Sequence, residues 1–229
     1  MSQDLRLVIF DVDGTLVDSQ AEILAAMQMA FDGQGITCPP RKDVLSIVGL
    51  SLPELMLVLA PDHDLATRNA LIEGYKGAYM HLRDTQGAAQ SAPLYEGARG
   101  VLDRLYDQDY TILGVATGKS KRGLDAMIDG HGLHGLFFTQ QVADFHPSKP
   151  HPAMVQAAIS ESGVDPARTV MIGDTTYDIE MGVAAGAKTI AVSWGYHDVV
   201  DLRAAGAHCV AGDYSDIPAL IDDMIGGAG

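Results

Sequence analysis

A short apolar run that ends abruptly on two carboxylates constrains the fold of this chain more than any other feature. Residues 7–16 read Leu-Val-Ile-Phe-Asp-Val-Asp-Gly-Thr-Leu, so β-forming residues lead directly into Asp11 and Asp13. Side chains two residues apart in an extended chain point the same way, and these carboxylates should share one site. Two such groups repel unless a cation or a proton lies between them. The pair therefore indicates a metal site, an acid beside a nucleophile, or both, although an Asp-Gly turn is the simpler explanation for Asp13-Gly14 alone.

The rest of the sequence predicts an α/β protein with a helical insertion. Residues 19–82 have helical periodicity, with capping boxes expected at Ser19-Gln-Ala-Glu22 and Ser51-Leu-Pro-Glu54, and residues 84–93 read as a linker. From residue 97 onward strands and helices alternate, which is typical of a Rossmann-like parallel sheet flanked by helices. The predicted strands are Arg6–Phe10, Thr111–Ala116, Leu136–Thr139, Thr169–Ile172, Lys188–Ser193 and His208–Val210. We predict a catalytic core of residues 1–16 and 91–229 and an inserted all-α domain of residues 17–90.

Composition excludes several classes of partner. The chain has 229 residues, a formal net charge of −15 and 47% hydrophobic residues, so it can bury a core but should repel nucleic acid and anionic membranes. The N-terminus lacks a secretion signal and no apolar stretch is long enough to span a membrane. Cys38 and Cys209 have no metal-ligand spacing and are expected to be reduced. We expect a cytoplasmic monomer or homodimer.

Polar side chains cluster where the predicted strands end. The carboxyl ends of parallel strands meet at one edge of the sheet, which is where α/β proteins bind ligands. Singly, each candidate has an ordinary explanation, such as a helix cap for Thr117 or a solvated surface position for Lys149. Jointly, they indicate one site. The candidates are Asp11, Asp13, Thr117, Gly118, Lys149, Asp174 and Asp178.

The carboxylates of this set suit a hard divalent cation. Mg²⁺ prefers oxygen ligands, and Asp11 and Asp174 would hold it, with Asp178 adjacent. A phosphomonoester is an anion, and a carboxylate can approach its phosphorus only when this repulsion is offset. Mg²⁺ is therefore the expected cofactor.

The remaining candidates fit the other needs of phosphoryl transfer. The hydroxyl of Thr117 and the N–H of Gly118 would bind phosphoryl oxygens, and Lys149 would offset further negative charge. Asp13 would protonate the leaving alkoxide and later deprotonate the attacking water. A small phosphorylated metabolite is the expected partner.

Together these motifs resemble the haloacid dehalogenase-like hydrolase superfamily. Its four motifs match in order as Asp11-Val-Asp-Gly-Thr, Thr117, Lys149 and Gly173-Asp174 with Asp178, over nearly the whole chain. The resemblance implies that Asp11 is the nucleophile that forms an aspartyl-phosphate. It also implies that Asp13 is the acid/base with its backbone carbonyl on Mg²⁺, and that Asp174 and Asp178 serve the metal.

The resemblance also bears on the substrate. The insertion at residues 17–90 looks like the superfamily's first cap type, and residues 173–197 look most like the phosphoglycolate phosphatase branch, so 2-phosphoglycolate is the first candidate. The cap loop that ends at Ser51 resembles the substrate-specificity loop, although a helix N-cap explains Ser51 equally well. The dehalogenases lack an aspartate at the position of Asp13. A β-phosphoglucomutase-like mutase and a pyrophosphatase remain alternatives, and a non-enzymatic binding protein would normally have lost a motif residue.

Overall fold

A six-stranded, entirely parallel sheet forms the centre of the protein. We describe it from a computed structural model, in which residues 5–226 are described. The strand order is β3-β2-β1-β4-β5-β6, which confirms the predicted α/β class. The strands are β1 (Arg6–Phe10), β2 (Thr111–Thr117), β3 (Thr139–Val142), β4 (Thr169–Gly173), β5 (Lys188–Val192) and β6 (Cys209–Ala211).

Strand β1 lies in the middle of the sheet and is covered on both faces. Val8 and Phe10 pack into the apolar cluster on one face, whereas Leu7 and Ile9 pack into the cluster on the other. This burial on both sides explains why β1 is continuously apolar rather than alternating. The flanking helices are α6 (Ala98–Tyr106), α7 (Lys121–His131), α8 (Ala153–Ser162), α9 (Thr176–Ala184), α10 (Val199–Ala204) and α11 (Ile217–Ile225).

Five helices of the described chain lie between β1 and α6. They are α1 (Gln20–Gly33), α2 (Arg41–Leu45), α3 (Leu52–Leu59), α4 (Leu65–Gln86) and α5 (Ala88–Ser91). A separate apolar cluster, whose buried members run from Ile23 to Ile72, holds most of them together. The chain leaves and re-enters the sheet region side by side, because Val17 and Leu94 pair as an antiparallel bridge. These features support our proposal of a cap at residues 17–90 on a core of residues 1–16 and 91–229.

Both predicted capping boxes were wrong. Ser19 and Ser51 do precede α1 and α3, but neither hydroxyl forms a cap hydrogen bond within the described chain. The Ser19 hydroxyl instead donates to Asp13, and Glu22 is buried where its carboxylate accepts from Ser91. A tertiary partner therefore replaced the local one at Ser19, which the sequence pattern alone could not reveal.

Several element boundaries also differ from the prediction. Strand β3 begins at Thr139, where the predicted strand ended, because Leu136 and Phe137 pack into the core from the preceding loop and Phe138 is 60% exposed. The segment predicted as a linker is partly helical, since α4 continues to Gln86 and α5 follows it. The short helices α2 and α10 were not predicted.

Two expectations drawn from composition can be compared with the structure. Cys38 and Cys209 are free and half-buried, as expected. In the described part of the chain, residues 5–226, none of the helices has the combined length and apolarity that crossing a membrane would require.

Ser120 and Ser51 both precede a helix, but within residues 5–226 only the Ser120 hydroxyl forms a cap hydrogen bond, which allows a direct test. The Ser120 hydroxyl accepts a hydrogen bond from the Gly123 N–H at 3.2 Å, at the start of α7. We expect Ser120→Ala to lower the free energy of unfolding by about 1 kcal/mol, because a backbone donor loses its partner. The matched variant Ser51→Ala should change it by less than about 0.5 kcal/mol. Urea denaturation followed by circular dichroism measures both, and equal losses would contradict this account of the caps.

Candidate active site

Three buried carboxylates meet at the carboxyl edge of the sheet. Asp11 follows β1, Asp174 follows β4, and Asp178 lies in the first turn of α9. Each offers one oxygen such that the three oxygens lie within 4.8 Å of one another. Strands β1 and β4 are hydrogen-bonded neighbours with Phe10 beside Ile172, so the residues after them are adjacent. The sheet register therefore brings together carboxylates that are far apart in sequence.

Lys149 is inserted between two of these carboxylates. Its ammonium group donates to Asp11 Oδ1 and to Asp178 Oδ1, both at 2.6 Å, and its side chain is fully buried. The second oxygen of Asp178 accepts from the N–H and hydroxyl of Thr175, which completes a capping box for α9. Lys149 and Thr175 thus use both oxygens of Asp178.

Burial changes the protonation of this cluster. It raises the pKa of Asp11 to about 7, with Asp178 adding to the shift and Lys149 opposing it. The pKa of Asp174 is also raised, again by burial first and then by Asp178 and Asp11. Burial acts to lower the pKa of Lys149, but the two carboxylates outweigh it and raise the pKa. Lys149 therefore does not fully offset the effect of burial on the pKa of Asp11.

One oxygen of Asp11 remains free to react or to bind a cation. Among the residues that the structure describes, no group forms a hydrogen bond with Asp11 Oδ2, although this atom is buried. Unpartnered buried oxygens are uncommon in folded proteins and each calls for an explanation. The Asp11 backbone is held by its N–H, which donates to the Ile172 carbonyl at 2.9 Å.

The carboxylate of Asp13 faces away from the other three. Its Oδ1 accepts from the Ser19 hydroxyl at 2.5 Å and contacts the Lys119 ammonium at 2.8 Å. The sequence predicted that Asp11 and Asp13 point toward one site. The cluster of three carboxylates contains Asp11 but not the Asp13 side chain. The Asp13 carboxylate instead contacts Ser19, at the start of the helical insertion, and Lys119.

Asp174 lies in a close-fitting cradle. The Thr15 hydroxyl donates to its Oδ1 at 2.8 Å and the Tyr196 N–H donates to its Oδ2 at 2.9 Å. A Cβ on Gly195 would lie 2.1 Å from the Cβ of Asp174, so only glycine fits at that position. Asp174 is thereby held by residues from two separate loops, one after β1 and one after β5.

Thr117 and Gly118 lie at the end of β2, beside the carboxylates. Both line a cavity of about 180 Å³ that also contains Asp11 and Asp13. The Thr117 hydroxyl accepts from the Lys119 N–H at 3.2 Å. A Cβ on Gly118 would lie 2.5 Å from the carbonyl oxygen of Gly49, so the cap loop is directly against this strand end.

The structure places Ser51 beside the loop that carries Lys149. Its neighbours Leu50 and Leu52 line the cavity, but Ser51 is not among the described residues that do so. Its backbone N–H donates to the Ser148 hydroxyl at 2.8 Å, in the loop that carries Lys149. Ser51 therefore contributes a contact between the cap and the Lys149 loop.

Residues that the sequence interpretation left without a role connect the cap to the core. The Lys119 ammonium contacts the Tyr79 hydroxyl of α4 at 2.9 Å as well as Asp13. His197 accepts from the Thr176 N–H through Nδ1 and donates to the Ser46 carbonyl through Nε2. Lys119 was visible in the sequence as the residue after Thr117-Gly118. Nothing local in the sequence marked Tyr79 as the partner of Lys119, or Ser46 as the partner of His197.

Comparisons with known proteins agree with this arrangement. A family model described as haloacid dehalogenase-like hydrolase matches residues 8–192, which include every motif. The chain belongs to the haloacid dehalogenase-like hydrolases. This membership confirms the resemblance inferred from the sequence.

Curated relatives of this hydrolase differ in their named activities. One from Dickeya dadantii, "Probable phosphatase IndB", is 34% identical and covers 92% of this chain and 91% of its own. A "Pyrophosphatase PpaX" from Bacillus pumilus is 33% identical over 83% and 84% of the two chains. A "Phosphoglycolate phosphatase" from Aliivibrio fischeri is 27% identical over 86% and 88%. All three names describe the hydrolysis of phosphate compounds, whereas the substrates differ.

The cradle around Asp174 generates a stability prediction. In Gly195→Ala the new methyl group must displace Asp174, and we expect a loss of about 1–3 kcal/mol in the free energy of unfolding, as for other overpacked sites. Gly77→Ala in α4 is the matched control, because within the described chain a Cβ there meets nothing within 4 Å. It should be neutral or stabilising by up to about 1 kcal/mol. Urea denaturation measures both variants, and a neutral Gly195→Ala would disprove the close fit.

Proposed function

We propose that this haloacid dehalogenase-like hydrolase is a Mg²⁺-dependent phosphatase. It hydrolyses a small phosphomonoester through an aspartyl-phosphate on Asp11. The observation that carries the proposal is the buried, unpartnered Oδ2 of Asp11, beside Asp174 and opposite Lys149. Glu22 Oε2 is also buried without a partner, but among the described residues only Asp11 combines such an oxygen with a place in the cavity wall, where it is available as a nucleophile.

The donor set fits a hard divalent cation. Asp11 and Asp174 supply oxygen ligands. Burial raises the pKa of both carboxyl groups, and a bound cation would lower these pKa values again. The Asp13 carbonyl completes the set in our proposal, while Asp178 acts through Lys149. When bound, Mg²⁺ would offset the charge of the phosphoryl group.

Asp11 and Lys149 divide the first step between them. Asp11 Oδ2 attacks the phosphorus while its Oδ1 stays fixed on the Lys149 ammonium. Lys149 also offsets negative charge on the phosphoryl oxygens. The hydroxyl of Thr117 and the N–H of Gly118 lie at the same cavity end and would bind those oxygens as the P–O bond breaks.

Asp13 is the acid and base in this proposal. It protonates the leaving alkoxide in the first half and removes a proton from the attacking water in the second. Ser19 and Lys119 fix the side chain on the cap side of the cavity, where a leaving group would enter. The same carboxyl group thus gives up a proton in the first half-reaction and takes one up in the second.

The substrate in this proposal is a phosphorylated metabolite whose leaving group carries a second anionic group, as that of 2-phosphoglycolate does. Phosphoglycolate phosphatase and pyrophosphatase are both named among the relatives, and both substrates have an anionic leaving group. A parallel assay of phosphate release from 2-phosphoglycolate and pyrophosphate separates the two. Pyrophosphate as the better substrate would contradict a phosphomonoester.

Replacement of the nucleophile tests the mechanism. Asp11→Asn keeps the shape of the side chain but removes the attacking oxygen, and we expect no release of p-nitrophenol from p-nitrophenyl phosphate above background. The wild-type enzyme should turn over with Mg²⁺ and stop with EDTA. Asp103→Asn on α6, which alters an exposed Arg99 pair remote from the cavity, is the control for lost charge. Full activity in Asp11→Asn, or in wild type without metal, would refute the proposal.

The acid/base role makes a separate prediction. Asp13→Asn should lower kcat by about 10²–10⁴-fold, the usual contribution of general acid–base catalysis. Because p-nitrophenolate needs less help from an acid than phenolate does, kcat/KM for p-nitrophenyl phosphate should fall less than kcat/KM for phenyl phosphate. Asp18→Asn, an exposed residue nearby, is the control. Equal losses on both substrates would indicate that Asp13 has a structural role.

A further inference from the structure

The cavity between cap and core extends well beyond the phosphoryl site. Its volume is about 180 Å³. One end contains Asp11 and Asp13. Apolar side chains from the cap form much of the wall, namely Ile23, Val48, Leu50, Leu52, Leu55 and Met80. Such a wall fits an apolar or aromatic body better than a purely polar leaving group.

Helix α4 presents one face to this cavity. Tyr75, Tyr79 and Arg83 recur every four residues on that face, and all three line the cavity. Tyr79 contacts Lys119, which contacts Asp13, so Tyr79 lies near the reacting end. Arg83 lies one helical turn farther along, about 6 Å on the helix axis. The Arg83 guanidinium lies over the Tyr79 ring, so a ligand bound to Arg83 would lie close to that ring.

Arg83 has an unused hydrogen-bond donor. Its Nε is buried, and between residues 5 and 226 no acceptor lies within hydrogen-bond distance of it. The guanidinium group lies over the Tyr79 ring, 5.0 Å from the ring centroid. A buried donor without a partner is unfavourable, and an arginine stacked in this way is oriented to receive a carboxylate or a phosphate.

The charges around the cavity also favour an anion there. The chain has 15 basic against 30 acidic residues, yet four basic residues line this cavity: Lys76, Arg83, Lys119 and Arg122. Lys119 is paired with Asp13 and Lys76 with Glu73. Within the described residues no ion pair involves Arg83 or Arg122. The nearby carboxylate of Glu22 accepts from Ser91 and is not among the cavity-lining residues described.

We propose that Arg83 binds a second anionic group of the substrate, at the far end of a leaving group with an apolar or aromatic body. This inference rests on the proposed phosphatase function and specifies its substrate class. The phosphoryl group lies at Asp11, the body passes between the apolar wall and Tyr79, and a carboxylate or phosphate meets Arg83. Arg83 is thus a specificity-determining residue that recognises substrate away from the reacting atoms.

A comparison of two synthetic substrates tests the proposal. Phenyl phosphate has the aromatic body alone, and 4-carboxyphenyl phosphate adds the distal anion. The measured quantity is the ratio of kcat/KM for the carboxylated over the plain substrate, in wild type and in Arg83→Gln. Intrinsic differences between the leaving groups cancel in this comparison. We expect the ratio to fall at least tenfold in Arg83→Gln.

Controls separate the failure of this inference from failure of the proposed function. Arg104→Gln removes one exposed positive charge outside the cavity and should leave the ratio at its wild-type value. A ratio that Arg83→Gln leaves unchanged, or that Arg104→Gln lowers equally, overturns the role of Arg83 while phosphatase activity stands. Absence of hydrolysis of both substrates by wild type overturns the proposed function and this inference with it. 4-Phosphonooxyphenyl phosphate in place of the carboxylate distinguishes a distal phosphate from a distal carboxylate.

Discussion

The packing of three buried carboxylates around one ammonium group is the interaction on which the rest of the structure depends. Lys149 donates to two of them at 2.6 Å and still leaves Asp11 and Asp174 with raised pKa values. Removal of one partner from a buried ion pair typically costs about 3–5 kcal/mol, because a buried charge is left alone. The fold tolerates this unbalanced cluster because the sheet and its loops hold each side chain in place. The remaining deficit of positive charge is what a divalent cation would supply.

The fixed geometry of this cluster comes from the sheet. Strand β1 is central, so the residue after it has neighbours from both β2 and β4. Strands β2 and β3 lie on one side of β1, and β4, β5 and β6 lie on the other. The strand order therefore changes direction at β1, and α/β proteins bind ligands in the crevice at such a point. Thr15 and the backbone of Tyr196 then hold Asp174 from outside the sheet. Regular strands place the functional groups, and irregular loops orient them.

Much of the fold and most of the candidate site could be predicted from the sequence, for identifiable reasons. Buried strands such as Arg6–Phe10 are continuous apolar runs, and the polar residues that follow them must lie at one edge of a parallel sheet. Edge strand β3 was misplaced because its Gln140 and Gln141 carry no apolar signal, whereas Phe138 does although it is 60% exposed. The capping box predicted at Ser19 failed because the Ser19 hydroxyl binds Asp13, which lies outside its helix. A capping pattern does not include such a partner. The position of the Asp13 carboxylate depended on the same contact.

Contacts across the interface of cap and core could not be predicted, since neither partner of a pair marks the other in the sequence. Lys119 with Tyr79 and His197 with Ser46 are separated by 40 and 151 residues. In our proposal the contact of Lys119 with Tyr79 affects what the enzyme can select, because it joins α4 to Lys119, which also contacts Asp13. Catalytic groups are presented by the sheet, whereas the walls that face a leaving group come from the cap. Substrate choice can therefore change through a residue such as Arg83 without any change at Asp11, which is consistent with relatives of one family that have different named substrates.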